Sequence, residues 1–98
     1  MDLASVPNIK AMLAFLAGLG CQPNPTVEYD DQLAWPGLYR NGVMYLRSAQ
    51  TPDRVIVHEL VHACQEPALS RQEWLQNEIQ AHHIEQLWMI RQADQENH

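Results

Sequence analysis

Residues Val55-Ile56-Val57-His58-Glu59-Leu60-Val61-His62 constrain this chain more than any other stretch, because they set an H-E-x-x-H pattern inside an apolar run that reads as helix. At about 3.6 residues per turn, positions four apart lie one above the other, so His58 and His62 present two imidazoles to one point. Glu59 stands beside the coordination position that such a pair leaves open. There it can accept a proton from a water whose pKa a zinc ion has lowered to roughly 7. The apolar residues Val55, Ile56, Val57, Leu60 and Val61 surround the polar triplet, and polar groups in such surroundings need a partner or a task. The spacing predicts a zinc site; two hydrogen-bonded core histidines are the competing reading.

The neighbouring residues define the helix. Thr51-Pro52-Asp53 predicts its start, with Thr51 as cap, Pro52 in the first helical position and Asp53 at the positive end of the dipole. Pro67 stops it, so it should run to about Gln65. Cys64 falls about 200° around the axis from His62 and so points away from the ion, as a core thiol rather than a ligand. The only other cysteine is Cys21. One disulfide is arithmetically available, but without a cysteine framework the expectation is two reduced thiols.

Upstream, Ser5 and Pro7 suit the start of a first helix, whose Ile9, Met12, Leu13, Leu16 and Leu19 share one face and which Gly18 and Gly20 end. This helix is expected to pack behind the motif helix as scaffold. Thr26 to Asp30 alternates like a short strand. Gly37 to Arg40 and Val43 to Arg47 flank Asn41-Gly42, the dipeptide best suited to a type I′ turn, and so predict an antiparallel hairpin. If Val43 to Arg47 is an exposed edge, it can hold an extended peptide; if the chain covers it, it cannot.

Downstream, Ser70 and Glu73 match a capping box, predicting a third helix from Arg71 to about Gln92 with a frayed polar tail from Ala93 to His98. Trp74, Glu78, Ala81, His82, Glu85 and Met89 share a face of it. The short link from Glu66 to Leu69 makes the two helices antiparallel neighbours, so that face meets His58 and His62. A catalytic zinc takes three protein ligands. Glu78 is the first choice for the third by its height along the helix, His82 is either a ligand or a partner to one, and Glu85 lies a turn too far. The whole makes one α+β domain over residues 1–98.

Composition narrows the function classes. The net charge is −6 with only six Lys and Arg, which argues against a nucleic-acid surface. The longest apolar run, around Met12 to Leu16, is too short to span a membrane, and Asp2 with a single early Lys10 makes a poor signal peptide. The expected location is the cytoplasm.

His58-Glu59-Leu60-Val61-His62 followed by Asn77-Glu78-Ile79-Gln80-Ala81 resembles the gluzincin arrangement, in which a helix carrying H-E-x-x-H is followed by a helix supplying a glutamate ligand. Gly42 to Leu46 resembles the strand that precedes the motif in small zincins, including the ImmA/IrrE-type metallopeptidases. The similarity covers roughly residues 37 to 90. It implies a minimal zincin-like fold, His58, His62 and Glu78 as zinc ligands, and Glu59 as general base in hydrolysis of a peptide or protein substrate. Where thermolysin-like enzymes have an acid four residues after that glutamate, this chain has His82. Tyr39, Tyr45 and His83 are candidates to donate to the oxyanion. Two rival readings use the same residues. One is a catalytically silent zinc domain that binds a protein, closed by a fourth ligand such as His82. The other is an all-helical interaction module without metal, with Trp35, Trp74 and Trp88 as contacts.

Overall fold

A computed structural model describes residues 2–96. A 3₁₀ turn, Leu3–Ser5, leads into helix α1 (Ile9–Ala17); strands β1 (Thr26–Tyr29), β2 (Gly37–Arg40) and β3 (Val43–Leu46) follow, then helices α2 (Asp53–Cys64) and α3 (Arg71–Glu96). This is an α+β arrangement, and its three-stranded sheet excludes the all-helical module.

Local chemistry accounts for most element boundaries, with several corrections. Ser5 does not cap α1. Its hydroxyl bonds back to the Asp2 carbonyl, and Asn8 enters the helix with a φ of 59°, a left-handed conformation that asparagine tolerates. Because α1 ends at Ala17, Leu19 leaves the apolar face and is exposed. Thr51 likewise turns away from α2: its hydroxyl donates to the Ser48 carbonyl at 2.8 Å, and Pro52 takes the cap position. The start of α3 is closer to expectation, since the Ser70 hydroxyl accepts from the Glu73 amide at 3.1 Å. Glu73 reaches back one residue further than a capping box requires, accepting from Leu69 N at 2.7 Å. The helix continues past Gln92 to Glu96, so Ala93 to Glu96 are not a frayed tail; the last two residues of that expected tail, 97 and 98, lie outside the described residues.

The hairpin forms as expected. Asn41 and Gly42 both have positive φ, 50° and 83°, and Arg40 pairs with Val43 across the turn. The sheet order, however, is β1-β3-β2, with β1 parallel to β3. Val43 to Leu46 is therefore the central strand and offers no free edge to a peptide. The edge next to α2 belongs to β2.

Met44 and Leu46 of β3 and Val27 of β1 pack with Ile56, Val57, Leu60 and Val61 of α2, and Met12 and Leu16 of α1 complete this core. At its far end Trp88 of α3 meets Phe15 of α1 edge to face, with ring centroids 5.3 Å apart. Trp88 is thus a core residue, whereas Trp35 and Trp74 are exposed. The two cysteines are not reduced thiols. Cys21, after α1, and Cys64, the last residue of α2, form a disulfide with Cα atoms 5.8 Å apart. Cys64 points away from His62 as the helix geometry requires, but toward solvent and Cys21 rather than into the core. Among the described residues no helix is long and apolar enough to cross a membrane.

The bridge closes a loop of sequence separation 43, which removes about 4 kcal/mol of chain entropy from the unfolded state. Replacing both cysteines by serine should lower the urea midpoint by an amount equivalent to about 2–4 kcal/mol without altering the helical circular dichroism. An unchanged midpoint would mean that the bridge does not constrain the unfolded chain.

Candidate metal centre

Helix α2 divides its residues between two environments. Val57, Leu60 and Val61 are almost fully buried against the sheet and α1, which turns His58, Glu59 and His62 toward α3 and β2. Partners met along the two helices run in opposite directions: His62 meets Glu78, whereas His58 and Arg54 meet Glu85. The helices are therefore antiparallel, as the short connection predicts.

His58, His62 and Glu78 come together as a possible metal-binding group. The Nε2 atoms of His58 and His62 are 3.2 Å apart. One Glu78 oxygen lies 2.8 Å from His62 Nε2 and the other 3.4 Å from His58 Nε2. The far side of each ring decides what these nitrogens are. His58 Nδ1–H donates to Glu85 Oε1 at 3.0 Å, and His62 Nδ1–H donates to Gln65 Oε1 at 2.7 Å. Gln65 is fixed in that orientation because its Nε2 donates to the Asn77 carbonyl and to Gln80 Oε1, at 2.8 and 2.9 Å. With both Nδ1 protons committed to acceptors, a ring in its neutral form presents an Nε2 lone pair to the shared point. In that form two lone pairs and a carboxylate converge, a set of donors that a cation could join.

Glu59 approaches from the β2 side. Gly37 allows this: a Cβ there would lie 2.9 Å from Val55 Cγ1 and 3.1 Å from Glu59 Cγ. Strand and helix approach closely at that point, and two residues on the Tyr39 amide donates to Glu59 Oε1 at 2.9 Å. One carboxylate oxygen is held by backbone. Burial pushes the Glu59 carboxyl above the usual carboxylate range; the neighbouring His58 and His62 and the Tyr39 N–H draw it back, and Glu78 adds to the rise. A carboxylate raised in this way is better matched to taking up a proton near neutral pH.

These residues line a cleft of about 840 Å³ between β2 on one side and the start of α3 on the other. Trp35 and Trp74 stand exposed along it, at 60% and 57%. Of the oxyanion candidates only Tyr39 lines the cleft. Tyr45 lies on the central strand, alternating with the buried Met44 and Leu46 and so facing away from α2, and His83 lies on an exposed side of α3.

His82 and Glu85 divide differently from expectation. His82 is 63% exposed, 3.7 Å from Glu78 and 3.5 Å from Glu85, and it joins His58 and Glu85 in a separate group rather than closing the first one. Glu85 stays out of the group of His58, His62 and Glu78, as expected, but its carboxylate holds His58 from behind while Arg54 approaches its other oxygen at 3.5 Å. Sequence reasoning missed the roles of Gln65 and Glu85. Glu85 was on the right face of its helix; Gln65 carried no motif, only its place three residues after His62. Comparison of the chain with models of protein families, with curated proteins and with solved structures finds no match.

Because Glu85 and Gln65 set the tautomers, Glu85→Ala and Gln65→Ala should each weaken binding of a divalent transition ion by about 10- to 100-fold, measured by competition with a chromogenic chelator. Wild-type affinity in both variants would show that the Nδ1 hydrogen bonds do not prepare the site.

Proposed function

We propose that the chain is a zinc-dependent metallopeptidase, with His58, His62 and Glu78 as ligands and Glu59 as general base. The observation that carries this reading is the convergence of two Nε2 lone pairs and one carboxylate, with Glu59 held beside them. Ligands about 2.0–2.1 Å from a tetrahedral zinc are about 3.3 Å from one another, which matches the separations of 2.8 to 3.4 Å among these atoms. Nitrogen, nitrogen and carboxylate oxygen form a donor set that zinc takes in catalytic sites.

Held by His58, His62 and Glu78, a zinc ion would supply a water of lowered pKa, about 7, and a Lewis acid for a carbonyl. The protein's own groups supply the rest. Glu59 Oε1 is fixed by the Tyr39 amide, so Oε2 is the atom that accepts the proton and returns it to the leaving amine. Glu85 and Gln65 hold the two imidazoles in their orientations. The cleft, flanked by Trp35 and Trp74, offers aromatic surface to a peptide side chain. Closure by His82 as a fourth ligand would support the catalytically silent alternative, and its 63% exposure supports the open site instead. The Cys21–Cys64 disulfide favours an oxidising compartment over the cytoplasm as the place of action.

Elemental analysis and hydrolysis of quenched fluorogenic peptides test the proposal together. Glu78→Ala should lose the ion. Glu59→Gln should keep one zinc per chain and lose hydrolysis by about 10²- to 10⁴-fold. Wild type without metal under replete conditions would sink the zinc reading, and full activity in Glu59→Gln would sink the general-base role.

A further inference from the structure

Helix α3 has two apolar sides, and the fold uses one. Its 26 residues make it about 39 Å long, against a longest molecular dimension of 43 Å, whereas α2 with 12 residues is about 18 Å. The inner side carries the fully buried Ala81 and Trp88. On the opposite side Leu75, Ile79, Gln86 and Ile90 fall within about 60° of one another at about 100° per residue. Leu75, Ile79 and Ile90 are 52%, 61% and 66% exposed, and Met89 and Leu87 flank them. No other element of the described chain covers this stripe.

We propose that a second copy of this chain covers it, as an antiparallel α3–α3 dimer with its two-fold axis between His82 and His83. The first ground is charge. The chain carries twelve Asp and Glu and a net charge of −6, so most of its surface repels a copy of itself. The stripe from Gln72 through Leu75, Ile79, His83, Gln86 and Ile90 to Ala93 contains no Asp, Glu, Lys or Arg, and the five acids of α3 lie off it. The second ground is self-complementarity, which a two-fold interface requires because one patch must fit itself. Reflection about the axis between positions 82 and 83 sets Leu75 opposite Ile90 of the second copy, Ile79 opposite Gln86 and Gln72 opposite Ala93. It also sets Arg71, in the first turn, near Glu96 in the last turn of the second copy, on the same flank of the seam. A parallel pair would instead oppose like charges at both ends and align the two helix dipoles. The stripe lies roughly 100° around α3 from Glu78 and Glu85, so both clefts stay open in the dimer. An anionic lipid surface is a poorer occupant, because the stripe lacks the flanking Lys and Arg that such surfaces attract.

Light scattering on size-exclusion fractions, from micromolar to hundreds of micromolar protein, should give twice the chain mass of 11.3 kDa. Ile79→Glu and Ile90→Glu, each of which places two unpaired carboxylates in one seam, should raise the dimer dissociation constant by about 100-fold or more. Circular dichroism and zinc content should stay as in wild type, which separates loss of the dimer from loss of the fold. Arg71→Glu should weaken the dimer several-fold, and adding Glu96→Arg should restore it. A wild-type chain that stays at 11.3 kDa throughout would overturn the proposal, as would a dimer that survives Ile79→Glu and Ile90→Glu. A monomer that cosediments with vesicles of phosphatidylcholine and anionic phosphatidylserine would assign the stripe to lipid and overturn it too.

Discussion

The structure turns on two hydrogen bonds made on the far sides of the histidine rings from the point where His58, His62 and Glu78 meet. His58 and His62 each have two nitrogens, and only a ring whose Nδ1 proton is engaged elsewhere offers Nε2 as a lone pair. Glu85 engages one ring and Gln65 the other, at 3.0 and 2.7 Å. The two acceptors differ in kind. Glu85 is a carboxylate whose other oxygen meets Arg54, whereas Gln65 is a neutral amide whose orientation is enforced by two bonds to α3. The antiparallel packing of α2 on α3 is therefore read out twice, once at each histidine. Any slip between the helices moves Glu78 and Glu85 together and takes Asn77 and Gln80 away from Gln65.

A chain of 98 residues has little core with which to hold such a register, and the site makes up for this with covalent and steric constraints at the ends of α2. At the C-terminal end the disulfide ties Cys64 to the segment after α1, and Gln65 follows it immediately. Near the N-terminal end the close approach of Gly37 to Val55 and Glu59 fixes the distance between β2 and the helix. That distance sets the Tyr39 N–H on Glu59. The buried row Val57, Leu60 and Val61 then leaves the helix one rotation in which His58, Glu59 and His62 all face the cleft.

Residues whose roles are local were legible in the sequence. The turn at Asn41-Gly42, the start of α3 at Ser70 and the shared face of His58 and His62 each follow from a few neighbouring residues, and the folded chain contains all three. What depended on the third dimension was less legible. The hairpin was visible, but nothing in Thr26 to Tyr29 says that it joins β3 rather than β2, so the central strand looked like an edge. Cys21 and Cys64 are neighbours only because α1 and α2 pack together. Glu85 looked too distant because seven residues beyond Glu78 add about 10 Å along α3. The two histidines are themselves about 6 Å apart along α2, and helix side chains lean toward the N-terminus, so the glutamate reaches back to His58.

The position of His82 follows from the same geometry. It lies between Glu78 and Glu85 on α3 and faces both carboxylates, 3.7 and 3.5 Å away, while most of its ring remains in solvent. Its contact with His58 is edge to face, with centroids 4.6 Å apart. To join His58, His62 and Glu78 as a ligand it would have to compete for Glu78 on the side where the carboxylate already serves both rings. To stay where it is costs nothing, since water solvates its exposed face and Glu85 is already satisfied by His58 and Arg54. The packing of α3 thus keeps an imidazole at the mouth of the cleft without placing it in the group of His58, His62 and Glu78.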